Sequence, residues 1–315
     1  MRLTHLSESY TITRHYYDHS VTKILRPCHL QAKSTIGYVR IRVIDAFTDQ
    51  PFAGNPAAVC VLNDSRWPDE RWMQQVAAEM NLPETAFAHP LPESADADWA
   101  LRWFTPTVEV DLCGHATLAT AHALRSDARV GTTVRFNTRS GILTAHIDHG
   151  DTITLDFPAA PITEISVPER LPEALDATPD AVYGTGALRD VLVVLPEEAG
   201  VRALTPDFTA LTQLARRDGT RGVIATAPAS SQDEEYDFVS RFFAPASGIP
   251  EDPVTGSAHT ALAVYWSMRL GRHCLTGLQA SARTGLVHTA VHGNRVHLGG
   301  QACTVLDGTL HYTAG

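Results

Sequence analysis

Residues 38–44 alternate apolar and polar side chains, the period of a half-buried β-strand. Short apolar runs bounded by turn residues predict further strands at 57–62, 85–88, 99–104, 134–136, 142–147, 151–157, 191–195, 222–227 and 237–243. Between them the period becomes helical. Pro68-Asp69-Glu70 opens one helix, with the proline in its first turn, acids near the positive end of the dipole, and Trp72, Val76 and Met80 on one face. Residues 205–216 repeat that pattern. Two other helices, 115–124 and 256–268, are apolar on nearly every side, so both are expected to be buried. From 278 to 312, short strands are expected to alternate with turns at Gly285, Gly293, Gly299-Gly300 and Gly308. Residues 1–37 show neither period nor caps and are expected to form a flexible N-terminal extension.

The pattern occurs twice. Gly114 and Gly256, which open the two apolar helices, are 142 residues apart. Arg102-Trp103-Phe104-Thr105-Pro106 is echoed by Arg241-Phe242-Phe243-Ala244-Pro245 at an offset of 139, and Arg139-Ser140-Gly141 by Arg283-Thr284-Gly285 at 144. Pro68-Asp69 and Pro90 return as Pro206-Asp207 and Pro228 at 138. Collinear echoes at so long an offset predict a duplicated domain rather than a solenoid. With Pro158-Ala159-Ala160-Pro161 as linker, the domains are expected at 38–157 and 162–315. Strand–helix alternation is too irregular for a doubly wound sheet, which leaves an α+β fold with a sheet wrapped around each buried helix.

Composition narrows the function. A chain of 315 residues, 44% hydrophobic and 19% charged, suits two ordered domains. The formal charge of −10 and the lack of a basic run oppose a nucleic-acid partner. No apolar window reaches the roughly 18 residues of a membrane span. The five cysteines (Cys28, Cys60, Cys113, Cys274 and Cys303) are scattered, as expected of reduced thiols in a cytoplasmic protein.

The polar candidates gather at the two apolar helix starts: Cys113 and His115 at the first, Asp252, Thr255 and Ser257 at the second. Glu84 joins them from a loop-to-strand junction. At the offset of 138 it falls on Gly222, so the halves differ there by one acid, and a catalytic base needs only one copy. If the two helix starts face each other, their free N–H groups can hold a carboxylate or phosphate, while Glu84, His115 and Asp252 move protons. Competing structural readings exist: Glu84 as a solvated loop residue, His115 as a core or capping histidine, Asp252 and Ser257 as caps of the second helix. No dinucleotide, P-loop, zinc-protease or nucleophile-elbow motif appears, so no cofactor or metal is expected.

Asp45-Ala46-Phe47, Gly54-Asn55-Pro56-Ala57-Ala58-Val59, Asn81-Leu82-Pro83-Glu84-Thr85-Ala86-Phe87, Cys113-Gly114-His115-Ala116-Thr117-Leu118-Ala119 and Glu251-Asp252-Pro253-Val254-Thr255-Gly256-Ser257 together resemble the PhzF-like family of phenazine biosynthesis, within the diaminopimelate epimerase superfamily. The resemblance runs from about Tyr38 to the C-terminus. It implies two domains related by a pseudo-twofold axis, each a curled, mostly antiparallel, barrel-like sheet around a central helix, with the site between them. It implies a cofactor-independent isomerase, similar to trans-2,3-dihydro-3-hydroxyanthranilate isomerase, acting on a small cyclic amino or hydroxy carboxylic acid. Glu84 stands at the family's acid/base position, His115 and Asp252 at assisting ones, and Gly114, Gly256, Ser257, Cys113 and Thr255 beside the substrate. A homodimer is implied too. Epimerases of the superfamily use two cysteines, one per helix start. Here the second position is Thr255, whose hydroxyl is too weak an acid for that role. A racemase acting through Cys113 and a non-enzymatic binding protein are the alternatives.

Overall fold

The computed structural model describes residues 36–93, 95–230 and 235–313. The expected N-terminal extension therefore lies almost wholly outside the described residues. The first half runs β1 (Ile36–Ala46), β2 (Asn55–Val61), α1 (Glu70–Met80), β3 (Glu84–Pro90), β4 (Trp99–Phe104), β5 (Glu109–Val110), α2 (Gly114–Ser126), β6 (Thr133–Thr138), β7 (Gly141–Ile147), β8 (Ile153–Pro158) and β9 (Thr163–Glu164). The second runs α3 (Leu171–Leu175), β10 (Ala181–Gly184), β11 (Asp190–Val194), α4 (Glu198–Ala203), α5 (Phe208–Asp218), β12 (Gly222–Pro228), β13 (Phe238–Ala244), β14 (Ile249–Asp252), α6 (Gly256–Leu270), β15 (Cys274–Gln279), β16 (Gly285–His292), β17 (Arg295–Gly300) and β18 (Ala302–Thr313). The class is α+β: among the described residues, six helices pack with one large mixed sheet of 18 strands. Among the described residues no helix is long and apolar enough to cross a membrane.

Pairing is antiparallel for β1–β2, parallel for β2–β3, antiparallel for β3–β4 and β4–β5, parallel for β4–β6, and antiparallel for β6–β7 and β7–β8. From β10 to β17 the same series returns, each strand number raised by nine. Two antiparallel pairings join the halves at their ends: β18 crosses back to β1, and β9 lies on β10. A third, β8 with β17, joins them in the middle.

The inner strands are buried on both faces, which is why they read as apolar runs without alternation. On β3, Ala86 and Ala88 face the cluster built on α2, while Phe87 meets Met73, Val76 and Ala77 of α1 on the other side. On β11 and β12, Leu192, Val194 and Ile224 pack with Ala258, Ala261 and Leu262 of α6. Val191, Val193, Val223 and Ala225 instead face Val201 of α4 and Leu211 of α5. Helices α2 and α6 are thus each enclosed by strands, as their all-round apolar sequences predict.

Several local expectations need correction. Pro68 precedes α1 rather than sitting in its first turn, because Asp69 is the N-cap and its carboxylate accepts from the Trp72 N–H. Of the glycines expected to turn the C-terminal tail, only Gly293 has positive φ (62°). Gly285 opens β16, Gly299-Gly300 closes β17 and Gly308 lies inside β18. A side chain at Gly300 would reach 2.5 Å from the Phe47 ring, so the residue allows close packing and not a turn. Elements β5, β9, β10, β14 and α4 are too short to announce themselves by period.

His259 of α6 is fully buried, with Nδ1 2.8 Å from the Thr255 carbonyl and Nε2 without a partner among the described residues. Burial pushes its pKa down to about 4, against the opposing pull of that carbonyl. An unfolded histidine titrates near 6.5. The buried ring therefore contributes stability that is full above 6.5 and is lost as pH falls toward about 4. Urea midpoints measured from pH 7.5 to 4.5 are expected to fall less steeply in His259→Gln than in the parent. Equal slopes would remove His259 from the acid sensitivity.

Candidate active site

The two buried helices meet at their starts. A Cβ placed on Gly114 would lie 3.8 Å from the Gly256 Cα, an ordinary contact that brings two positive dipole ends together. The N-cap residues, Cys113 and Thr255, make no side-chain capping hydrogen bond. Asp252 and Ser257 do not cap α6 either. The Asp252 carboxylate accepts from Asn55 Nδ2 (2.9 Å) and from the Thr255 hydroxyl, and Ser257 Oγ accepts from Arg221 (3.0 Å). Above the helix starts opens a cavity of about 410 Å³. Its floor carries Glu84, His115, Asp252, Thr255 and Ser257; Phe157, Leu188, Phe242 and Ile249 are among its apolar walls. All eight residues singled out from the sequence line it. A cavity of about 500 Å³ near Arg40, Arg66 and Trp67 contains none of them.

Glu84 is the first residue of β3, set beside Ala57 of β2. Its Oε2 stands 3.1 Å from His115 Nε2, a charge contact in which neither atom makes an aligned hydrogen bond. Both atoms are buried without an aligned hydrogen-bond partner among the described residues, a state that buried polar groups rarely keep without a functional reason. Across the imidazole, Nδ1 lies 3.6 Å from the Cys113 sulfur. Burial opposes charge on His115, but the Cys113 sulfur and the Glu84 carboxylate outweigh it and hold its pKa well above the ordinary histidine value. Burial pushes the Cys113 thiol up and Glu84 adds to that, while His115 opposes both. Asp252 is raised to about 6 by burial, against the pull of His115 and the Thr255 hydroxyl. Glu84, Cys113 and His115 each bring one donor atom to within 4.8 Å of the others, a spacing at which a metal ion could be held.

Three residues without a sequence-based role complete the surroundings. Asn55, fully buried on β2, donates to Asp252 and to the Val254 carbonyl, tying the first half to the loop before α6. Gln279 accepts from the Thr255 N–H and donates to the Asp252 carbonyl. Arg221 lies between Asp190 and Ser257 at the cavity wall. Asn55 stands inside the Gly54–Val59 motif of the family resemblance, which attaches no role to it. Arg221 precedes the glycine that matches Glu84, and that adjacency was its one available signal.

Comparison with other proteins follows the same lines. An uncharacterized isomerase of Halalkalibacterium halodurans is 47% identical over 273 residues, 86% of this chain and 97% of that protein. An uncharacterized isomerase of Pseudomonas aeruginosa is 47% identical over 272 residues, 85% of this chain and 97% of that protein. A crystal structure of a phenazine biosynthesis protein of the PhzF family from Enterococcus faecalis is similar with a TM-score of 0.79 at 40% identity, covering 87% of this chain and 99% of that one. Fold and relatives together set the class, that of the α+β isomerases. The chain belongs to the PhzC-PhzF family: the family model described as "Phenazine biosynthesis-like protein" matches residues 44–308.

Proposed function

We propose that this chain is a cofactor-independent isomerase that moves a proton on a small cyclic amino or hydroxy carboxylic acid, with Glu84 as the acid/base. The observation that carries the reading is the buried contact between Glu84 and His115, both with unspent hydrogen-bonding atoms, at a cavity floored by two uncapped helix starts. The N–H groups of Gly114, His115, Gly256 and Ser257 would hold the carboxylate. The Glu84 carboxylate would take a proton from a ring C–H as the double bond shifts, and then give a proton to another ring carbon, so no oxidant or reductant is needed. His115, cationic beside Glu84, would stabilise the charge that develops. Asp252, held by Asn55 and Thr255, would fix the imidazole's electrostatic surroundings. A raised thiol and a hydroxyl at the second helix start speak against racemisation through Cys113.

The same reading takes 38–157 and 162–315 as copies of one domain, each a barrel-like sheet around its helix, related by a pseudo-twofold axis through the Gly114–Gly256 contact. The repeated series of pairings supports it. So do the starts of α1 and α5, β3 and β12, α2 and α6, and β7 and β16, which keep the sequence offsets of 138, 138, 142 and 144. A cytoplasmic homodimer completes the proposal. The test is incubation in D₂O with a panel of cyclic amino and hydroxy carboxylic acids, followed by proton NMR. Loss of a ring C–H signal, or a shifted double bond, is expected for at least one acid. An enzyme that leaves every acid unchanged while a non-carboxylic compound isomerises would defeat the reading.

A further inference from the structure

The two halves treat one position in opposite ways. In the first, β2 sets Ala57 beside Glu84, and the glutamate enters the site. In the second, β11 sets Asp190 beside Gly222. A side chain at Gly222 would lie 2.7 Å from the Phe242 ring, so that ring fills the space an acid would need. Over the same ring, with its centre 5.1 Å away, lies the guanidinium of Arg221. Where one helix start has a carboxylate, the other has a cation on an aromatic plate.

The simplest alternative is that Arg221 serves only to neutralise Asp190, which is fully buried. Its Nε does donate to Asp190 Oδ1 at 2.8 Å, and its Nη2 to Oδ2. Yet the matching position in the first half is Ala57, so the fold itself does not call for an acid there. The pair is an addition of the second half. Nη2 also reaches Ser257 Oγ at 3.0 Å, in the first turn of α6, while Nη1 makes no hydrogen bond to a described residue. Asp190 thus clamps two of the three nitrogens and leaves a fixed guanidinium edge on the cavity.

We propose that Arg221 sets the orientation of the ligand: a carboxylic acid lies with its carboxylate at the start of α6, beside Arg221 and Ser257, and its apolar body between Phe157 and Phe242. Two abutting helix starts alone would accept the carboxylate in either of two related poses. Arg221 breaks the tie and turns the ligand's C–H bonds toward Glu84. This rests on the carboxylic-acid reading above and adds the pose and the residue that selects it.

Binding of 4-fluorobenzoate and of 4-fluorobenzyl alcohol, followed by fluorine NMR titration, tests it. Arg221→Met alone would leave Asp190 buried and unpaired and could unfold, so the double variant Asp190→Asn/Arg221→Met is measured beside it, with Arg221→Lys. The parent is expected to bind the acid tighter than the alcohol. In the double variant that preference should fall by about tenfold or more, the loss expected of a charge-assisted hydrogen bond, with the alcohol unchanged. Arg221→Lys should restore part of it. A crystal of the parent with 4-fluorobenzoate should show the carboxylate against Arg221. A double variant that keeps the full preference, or a carboxylate seated at α2, overturns the proposal while the carboxylic-acid reading stands. A parent that does not distinguish acid from alcohol overturns both.

Discussion

Glu84→Gln should lower turnover by about 10²–10⁴-fold, the range that a positioned acid–base group supplies, while the fold and acid binding persist. The amide keeps the shape of the carboxylate but cannot accept a proton. No second acid can stand in at the matching place, because Gly222 is closed off by Phe242 and by the Phe243 carbonyl. Asp252 has both its oxygens engaged by Asn55 and Thr255. Loss of the glutamate charge should also let the His115 pKa drop toward its ordinary value, since that carboxylate is one of the groups holding it up. Two measurements check this: turnover on whichever acid the exchange screen identifies, and a histidine NMR titration of parent and variant. Near-normal turnover would take Glu84 out of the mechanism, and a Cys113→Ala variant that was inactive instead would bring thiol chemistry back.

Arg283→Met is expected to cost about 3–5 kcal/mol of stability, the usual result of leaving one charge of a buried pair alone. Asp45, 1% exposed on β1, accepts from Arg283 Nη2 at 2.7 Å and from the Phe52 N–H at 2.7 Å. Arg283 also donates to the carbonyls of Ala53 and Gly54. It therefore fastens the loop before β2 to the second half. Burial already raises the Asp45 pKa, with Phe52 and Arg283 opposing. Without the arginine the carboxyl rises further, so the deficit should be largest near neutral pH and shrink as acid neutralises Asp45. Urea unfolding at several pH values reads this out, and Asp45→Asn/Arg283→Met should recover much of the loss. Because Asn55 follows Gly54 and holds Asp252, the single variant should also disturb the active-site acid. An unchanged urea midpoint would mean that Asp45 is reached by water once the arginine is gone.

What the sequence made legible follows from how each element is packed. Helices α2 and α6 stood out because they are enclosed on all sides, and α1 because Asp69 caps an element with one apolar face. Strand register did not, since β3, β11 and β12 are buried on both faces and carry no alternation to fix which residue faces which helix. The joining pairs β1–β18 and β8–β17 are non-local and leave no trace in any window. At the site, motif resemblance picked out Glu84, His115 and Asp252, but only coordinates give the 3.1 Å contact between the first two. Arg221 offered no signal beyond its adjacency to Gly222, because an arginine before a strand is ordinary and its partners Asp190 and Ser257 are 31 and 36 residues away.

The return of β18 to β1 bears on how the chain is made. Ile36 pairs with Thr313, so one long edge of β1 is covered by β18, which is made far later along the chain. Until β18 is made, β2 covers just Ile41–Ala46 on the other side. The nascent first half must carry a bare strand edge, a template for unwanted pairing with other chains. Arg40 and Arg42, spaced along that edge, place charge on it while it waits and later bind Asp307 of the arriving strand. Chains cut before β18 should therefore fail by aggregation rather than by loss of the active-site residues, all of which they still contain.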